Sequence, residues 1–213
     1  LFPGGAADWS TVESATTLFS PEDFATSVGA TMVAWLDFDD PNVLFQDTAA
    51  ATPVTGSSQP IGRINDKISG APFFSNGTTA QKPTFDGSKA VFDGGDSLLA
   101  SNGAYWSFFN DGTRHVTIVR AQLTSLSLND MAAIWDHDSL SGGRGLQLYV
   151  DDRDVFSREN VMTFSCNPFA FVARSANDAV TADPFTVTAR HEYGLAGNDA
   201  ILRMDGTQVA SVN

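Results

Sequence analysis

"FTVTAR", residues 185–190, decides the fold class. Phe185, Val187 and Ala189 trade places without error with Thr186, Thr188 and Arg190. Successive side chains of a strand point to opposite faces, so such a segment has one buried face and one wet face. Leu146, Leu148 and Val150 alternate in the same way around Gln147 and Tyr149. Val116-Thr117-Ile118-Val119 and Phe169-Ala170-Phe171-Val172 read as strands with weaker alternation. Residues 201–204 and 207–210 flank Asp205-Gly206, and an Asp-Gly pair between two strand-like runs signals a two-residue hairpin. No amphipathic helix separates these segments. The pattern predicts an all-β chain, an antiparallel β-sandwich or jelly roll.

Composition agrees. Among 213 residues, 16 are Phe and only 17% are charged, which suits a ring-filled core and excludes a disordered chain. The acids are 21 Asp against 4 Glu, and Asp favours turns and caps where Glu favours helices. A net charge of −13 repels phosphate backbones and anionic lipid, so no nucleic acid partner is expected. No apolar run approaches the length of a membrane span, so no membrane insertion is expected. The single cysteine, Cys166, excludes an intrachain disulfide and reads as a small buried apolar residue.

Residues 1–29 differ from the rest and read as an N-terminal arm. Ser20 can cap a short helix, Pro21 suits its first position, and Glu22 and Asp23 meet its positive end; it would finish near Val28-Gly29. Leu1-Phe2-Pro3-Gly4-Gly5 lacks the basic start and apolar stretch of a signal peptide. Residues 30–213 are expected to form the sandwich, with Thr31-Met32-Val33-Ala34-Trp35-Leu36-Asp37 as its first strand. Residues 48–87 read mostly as loop, wrapping a sheet edge in short irregular pieces.

"WLDFDDPNVLFQD", residues 35–47, holds four aspartates. A helix–loop–helix calcium site needs Gly at the sixth position and a bidentate acid at the twelfth. Counting from Asp37, those places hold Asn42 and Thr48, so the pattern fails. Asp39-Asp40-Pro41-Asn42 suits a turn instead. No metal ligands are assigned and no cofactor is expected, although calcium held by scattered loop oxygens stays open.

An ordered series of motifs goes beyond composition. Trp35-Leu36-Asp37 precedes Asp39-Asp40-Pro41 and Phe45-Gln46-Asp47; then come Asn65-Asp66-Lys67 with Ser69-Gly70, Lys82-Pro83-Thr84, and Phe92-Asp93-Gly94-Gly95-Asp96-Ser97-Leu98. This series resembles the opening of concanavalin A-like, laminin-G-like jelly-roll domains of structural proteins in tailed phages and related particles. The resemblance covers residues 31–98 best. Later it rests on strand order and on Asp205-Gly206, which is similar to a late hairpin of that family. Arg63-Ile64-Asn65 stands where the family often has a tryptophan. Such domains usually continue past that hairpin, so the last strands are expected to be absent from this chain or supplied by a partner.

The fold also hosts glucanases, which need two carboxylates about 5 to 10 Å apart. Glu13, Glu22, Glu159 and Glu192 are isolated, and no E-x-D-x-E motif exists. The densest polar clusters, Asp136-His137-Asp138 and Asp151-Asp152-Arg153-Asp154, read as solvated loops. His115, His137 and His191 lie apart and no G-x-S-x-G is present, so no serine triad is signalled. Sugar binding needs an exposed ring and planar polar groups. Trp135, Asp136, His137, Arg144 and Tyr149 are the candidate carbohydrate-binding residues, set against a reading of Trp135 as core. Asn76-Gly77-Thr78 matches a glycosylation acceptor, a short match of the kind that often arises by chance. The resemblance implies a non-enzymatic virion component on the particle exterior, with other virion proteins and further copies of itself as partners. It would bind host cell-surface polysaccharide, with weak single sites offset by multivalency. A secreted binding module or glycoside hydrolase of the same fold is the alternative, and a scaffold without ligand the third reading.

Overall fold

The computed structural model describes residues 30–100, 114–125, 131–137, 146–153, 157–166, 171–192 and 200–212. The expected arm, residues 1–29, lies outside them. The described regular structure is β-strands and two short 3-10 turns, Pro41–Val43 and Thr79–Gln81, with no α-helix among the described residues. Every described strand pair is antiparallel. The chain divides into two compact units, Leu1–Ala104 and Tyr105–Asn213.

In the first unit, β1 (Leu44–Phe45), β2 (Arg63–Asn65), β3 (Pro72–Ser75) and β6 (Leu99–Ala100) form one sheet in the order β1-β2-β3-β6. β4 (Thr84–Phe85) and β5 (Ala90–Val91) pair separately. Leu44, Val54, Ile61, Ile64 and Phe85 form the buried core, flanked by Leu36, Phe38 and Phe74. Two expectations are corrected here. Residues 48–87 are mostly loop, and 52–54 run along the edge strand β1, where the Val54 N–H donates to Leu44 O at 2.9 Å, but the stretch also contains β2 and β3, the middle strands of the sheet. Those strands span three and four residues, too short for alternation to stand out. Residues 31–37 form no strand. The Trp35 N–H donates to a side chain, Asp66 Oδ1 at 2.8 Å, rather than to a neighbouring strand. Gly62 marks a close approach: its N–H donates to Phe45 O at 2.7 Å, and a Cβ there would lie 2.4 Å from Gln46 O.

In the second unit, β8 (Met131–His137), β9 (Leu146–Asp151), β10 (Val161–Cys166) and β11 (Phe171–Arg174) form a sheet in the order β11-β10-β9-β8. β7 (Arg114–Ala121), β12 (Phe185–Glu192), β13 (Ala200–Met204) and β14 (Thr207–Val212) form another, ordered β14-β13-β12-β7. β10 and β11 lie against β13 and β14, giving the unit a sandwich-like character. Phe185, Val187, Ala189 and His191 of β12 are buried, while Thr186, Thr188 and Arg190 are half-exposed, so the alternation reads as expected. Burial of Phe185 and of Val187 contributes about 1.5–3 kcal/mol each. Asp205 and Gly206 both take positive φ, 46° and 79°, as a two-residue turn of type I′ requires. β7 departs from the apolar-in rule. Val116 and Ile118 point outward, and His115, Thr117, Val119 and Ala121 stand opposite the inward residues of β12.

Candidate functional site

The aspartate-rich stretch folds into a clasp. Asp37 Oδ1 accepts the Asp39 N–H at 3.2 Å, and Asp40 Oδ1 accepts the Asn42 N–H at 3.0 Å, so each carboxylate closes its own turn. Pro41 then opens the 3-10 turn. Across from them, Lys67 Nζ sits 2.6 Å from Asp37 Oδ2 and 2.9 Å from Asp40 Oδ2. The same ammonium lies 4.4 Å from the centre of the Trp35 ring, within cation–π range. The Asp37 hydrogen bond, followed by that of Asp40, raises the Lys67 pKa, which keeps its amine protonated and unsuited to act as a nucleophile. The Lys67 hydrogen bond, and next the Asn42 N–H, hold the Asp40 carboxyl below its usual range.

Asp66 anchors the clasp from beneath. It is fully buried and accepts four hydrogen bonds, from the N–H groups of Trp35, Ile68 and Ser69 and from Ser69 Oγ at 2.6 Å. Burial pushes its pKa up, but the Ser69 hydroxyl and the backbone donors together outweigh that, and the net direction is down. Gly70 follows at φ +68°, completing the turn. The motifs that stand apart in sequence thus meet: Trp35-Leu36-Asp37, Asn65-Asp66-Lys67 and Ser69-Gly70 share one hydrogen-bonded node. Asp47 also closes a loop, accepting from the N–H groups of Ala49, Ala51 and Thr52. Among the described residues no three His, Cys, Asp or Glu side chains gather as a metal-ligand group.

The sugar-binding candidates fall on both faces of one strand pair. Pairing sets Trp135 opposite Leu148, Asp136 opposite Gln147 and Ala133 opposite Tyr149, with a bulge between Ala133 and Trp135. Directly opposed residues share a face, so half-buried Trp135 stands on the face of buried Leu148, and Asp136 and Tyr149 stand on the other. Asp136 is exposed and accepts from Gln147 Nε2 at 3.2 Å. Sequence reasoning passed over Gln147; its position beside Tyr149 in an alternating strand was the available signal. His137 ends β8, with its side chain outside the description, and Arg144 lies outside the described residues. Cys166 ends β10, and its side chain is likewise outside.

Two further expectations are corrected. Asp151 and Asp152 are buried, not solvated. Arg153 holds Asp151 with two hydrogen bonds, at 2.8 and 2.9 Å, and Arg158 adds a third, so the buried charge is compensated. Burial pushes the Asp151 pKa up, while Arg153 and then Arg158 pull it down, and the pull prevails. His115 and His191 do not lie apart: β7 and β12 set them directly opposite, with ring centres 5.1 Å apart. Asn76 is 7% exposed, and its Nδ2 donates to Gln81 O and to Ser97 O, so the nitrogen of the chance acceptor match is turned inward.

Compared with protein-family models, with curated proteins and with solved structures, the chain matches none.

Proposed function

We propose that this chain is a non-enzymatic building block of a virus-like particle, a lectin-like jelly roll displayed on the particle exterior. One observation carries the reading: the earlier motifs of the series that resembles the phage-particle domains, Trp35-Leu36-Asp37, Asp40, Asp66-Lys67 and Ser69, converge on one node at Asp66 and Lys67. The roles of the carboxylates support its non-enzymatic part. Asp37, Asp40, Asp47, Asp66 and Asp151 each hold a loop or a basic partner, which leaves them poorly placed to exchange protons with a substrate.

Recognition of host surface polysaccharide is the second half of the proposal. The face bearing Asp136, Gln147 and Tyr149 offers an acid, an amide and a ring along adjacent strands, the groups that meet sugar hydroxyls and a pyranose face. Cryo-electron imaging of particles from the producing culture, with antibody labelling of this chain, tests the first half. Repeated copies on the particle exterior are the expected result, and a chain found only as a free monomer overturns it. A glycan array tests the second half: binding that is lost in Asp136→Ala is expected, and no binding to any glycan overturns it.

A further inference from the structure

The sheet β14-β13-β12-β7 has an outer face unlike the rest of this acidic chain. Strand register places Arg120 opposite Thr186, Ile118 opposite Thr188, Val116 opposite Arg190 and Arg203 opposite Thr188 on one side. At the end of the same row, Arg114 stands opposite Glu192. Four of the nine arginines therefore share one face by register, in a chain of net charge −13. Between the arginines, Val116 and Ile118 are 50% and 60% exposed. Guanidinium groups around branched aliphatic side chains are the chemistry of a protein–protein contact, because Arg is enriched at interface cores and exposed apolar patches mark binding surfaces. A polysaccharide would leave Val116 and Ile118 without apolar partners.

The first unit carries the complementary chemistry. Phe92 is 45% exposed and meets Phe38 edge to face at 6.3 Å. The exposed Asp39 and Asp93 follow these two rings directly in sequence. Apolar surface flanked by acids on one unit matches apolar surface flanked by arginines on the other. We propose that the outer face of β7, β12 and β13 docks a second copy of this chain through that copy's Phe92–Asp93 and Asp39 surface. The contact is head-to-tail, the kind that builds rings or filaments. The inference deepens the particle reading by naming the surface through which copies meet.

Sedimentation velocity of the full chain tests it. The expected result is concentration-dependent association at low salt that weakens about tenfold at high salt, as screening shortens the reach of exposed charges. Arg120→Glu with Arg203→Glu gives a monomer, and so does Asp39→Lys with Asp93→Lys. Mixing the two charge-reversed chains restores a complex. Ile118→Thr, which keeps a strand-forming residue, weakens association without reversing charge. Circular dichroism confirms that each variant folds. A wild-type chain that stays monomeric at low salt overturns the inference and leaves the arginines as guards of an edge strand. Association that survives either pair of reversals also overturns it. A chain that self-associates through this face yet labels no particle overturns the particle reading alone; one that labels particles but stays monomeric overturns this inference alone.

Discussion

Asp66 has no exposed surface, and the donors that converge on it, four hydrogen bonds among them, sustain its charge. Asp66→Ala removes all four bonds and leaves the Trp35 N–H without its acceptor. Hydrogen bonds to a charged group contribute about 1.5–3 kcal/mol, so the variant should lose about 2–4 kcal/mol in urea unfolding followed by tryptophan fluorescence. Asp151 poses the same question with opposite charges as partners. Asp151→Asn keeps the shape but leaves Arg153 and Arg158 facing a neutral amide. Breaking a buried pair from one side costs about 3–5 kcal/mol, and a loss near the lower figure is expected because both arginines keep some solvent contact. Neither aspartate could be singled out by type, since Asp66 and Asp151 look like the many turn aspartates around them. What distinguishes them is burial, which depends on distant chain: Trp35 lies 31 residues from Asp66.

At the scale of elements, the β13–β14 hairpin was legible and β2–β3 was not. Asp205-Gly206 states its turn locally, since positive φ at both positions suits few residue pairs. The turn is also tied to the sheet: Asp205 Oδ1 accepts the Thr186 N–H at 2.8 Å, and the Asp205 N–H donates to Thr186 O at 2.8 Å. Gly206→Ala places a Cβ at φ +79° and should cost about 1–2 kcal/mol, read as a lower melting temperature with an unchanged far-ultraviolet spectrum. A variant as stable as the parent would mean that the turn relaxes to another type. By contrast, β2 and β3 have three and four residues, and their pairing slips at a bulge between Ile64 and Asn65. Their place in the sheet follows from partners rather than period. The residues expected to bind sugar show the same limit. Trp135 and Asp136 adjoin in sequence, yet alternation along β8 sends them to opposite faces.

For the whole molecule, acid is the informative perturbation. Asp40, Asp47, Asp66, Asp86 and Asp151 all have lowered pKa values when folded. A carboxyl whose folded pKa lies below its unfolded value of about 3.9 contributes its full stability above that value and loses it as pH falls through the folded one. The urea midpoint should therefore hold steady from pH 7 to about 5 and fall steeply below about pH 4. Lys67 acts in the other direction: its raised pKa contributes stability below the unfolded value of about 10.4, which is lost as pH climbs through the folded one. A midpoint that rises below pH 4 would mean that relief of the −13 charge outweighs these specific bonds.

The sequence by itself determined the all-β class, the hairpin at Asp205-Gly206 and the role of the aspartates as turn and cap residues. Each is a local consequence of side-chain period or backbone preference, complete within a few residues. Only the tertiary structure decided which aspartates are buried, that β2 and β3 lie inside a sheet, that His115 meets His191, and that four arginines line up on one face. Those facts depend on strand register between distant segments, and register is set by the packing of the whole unit, which no short stretch contains.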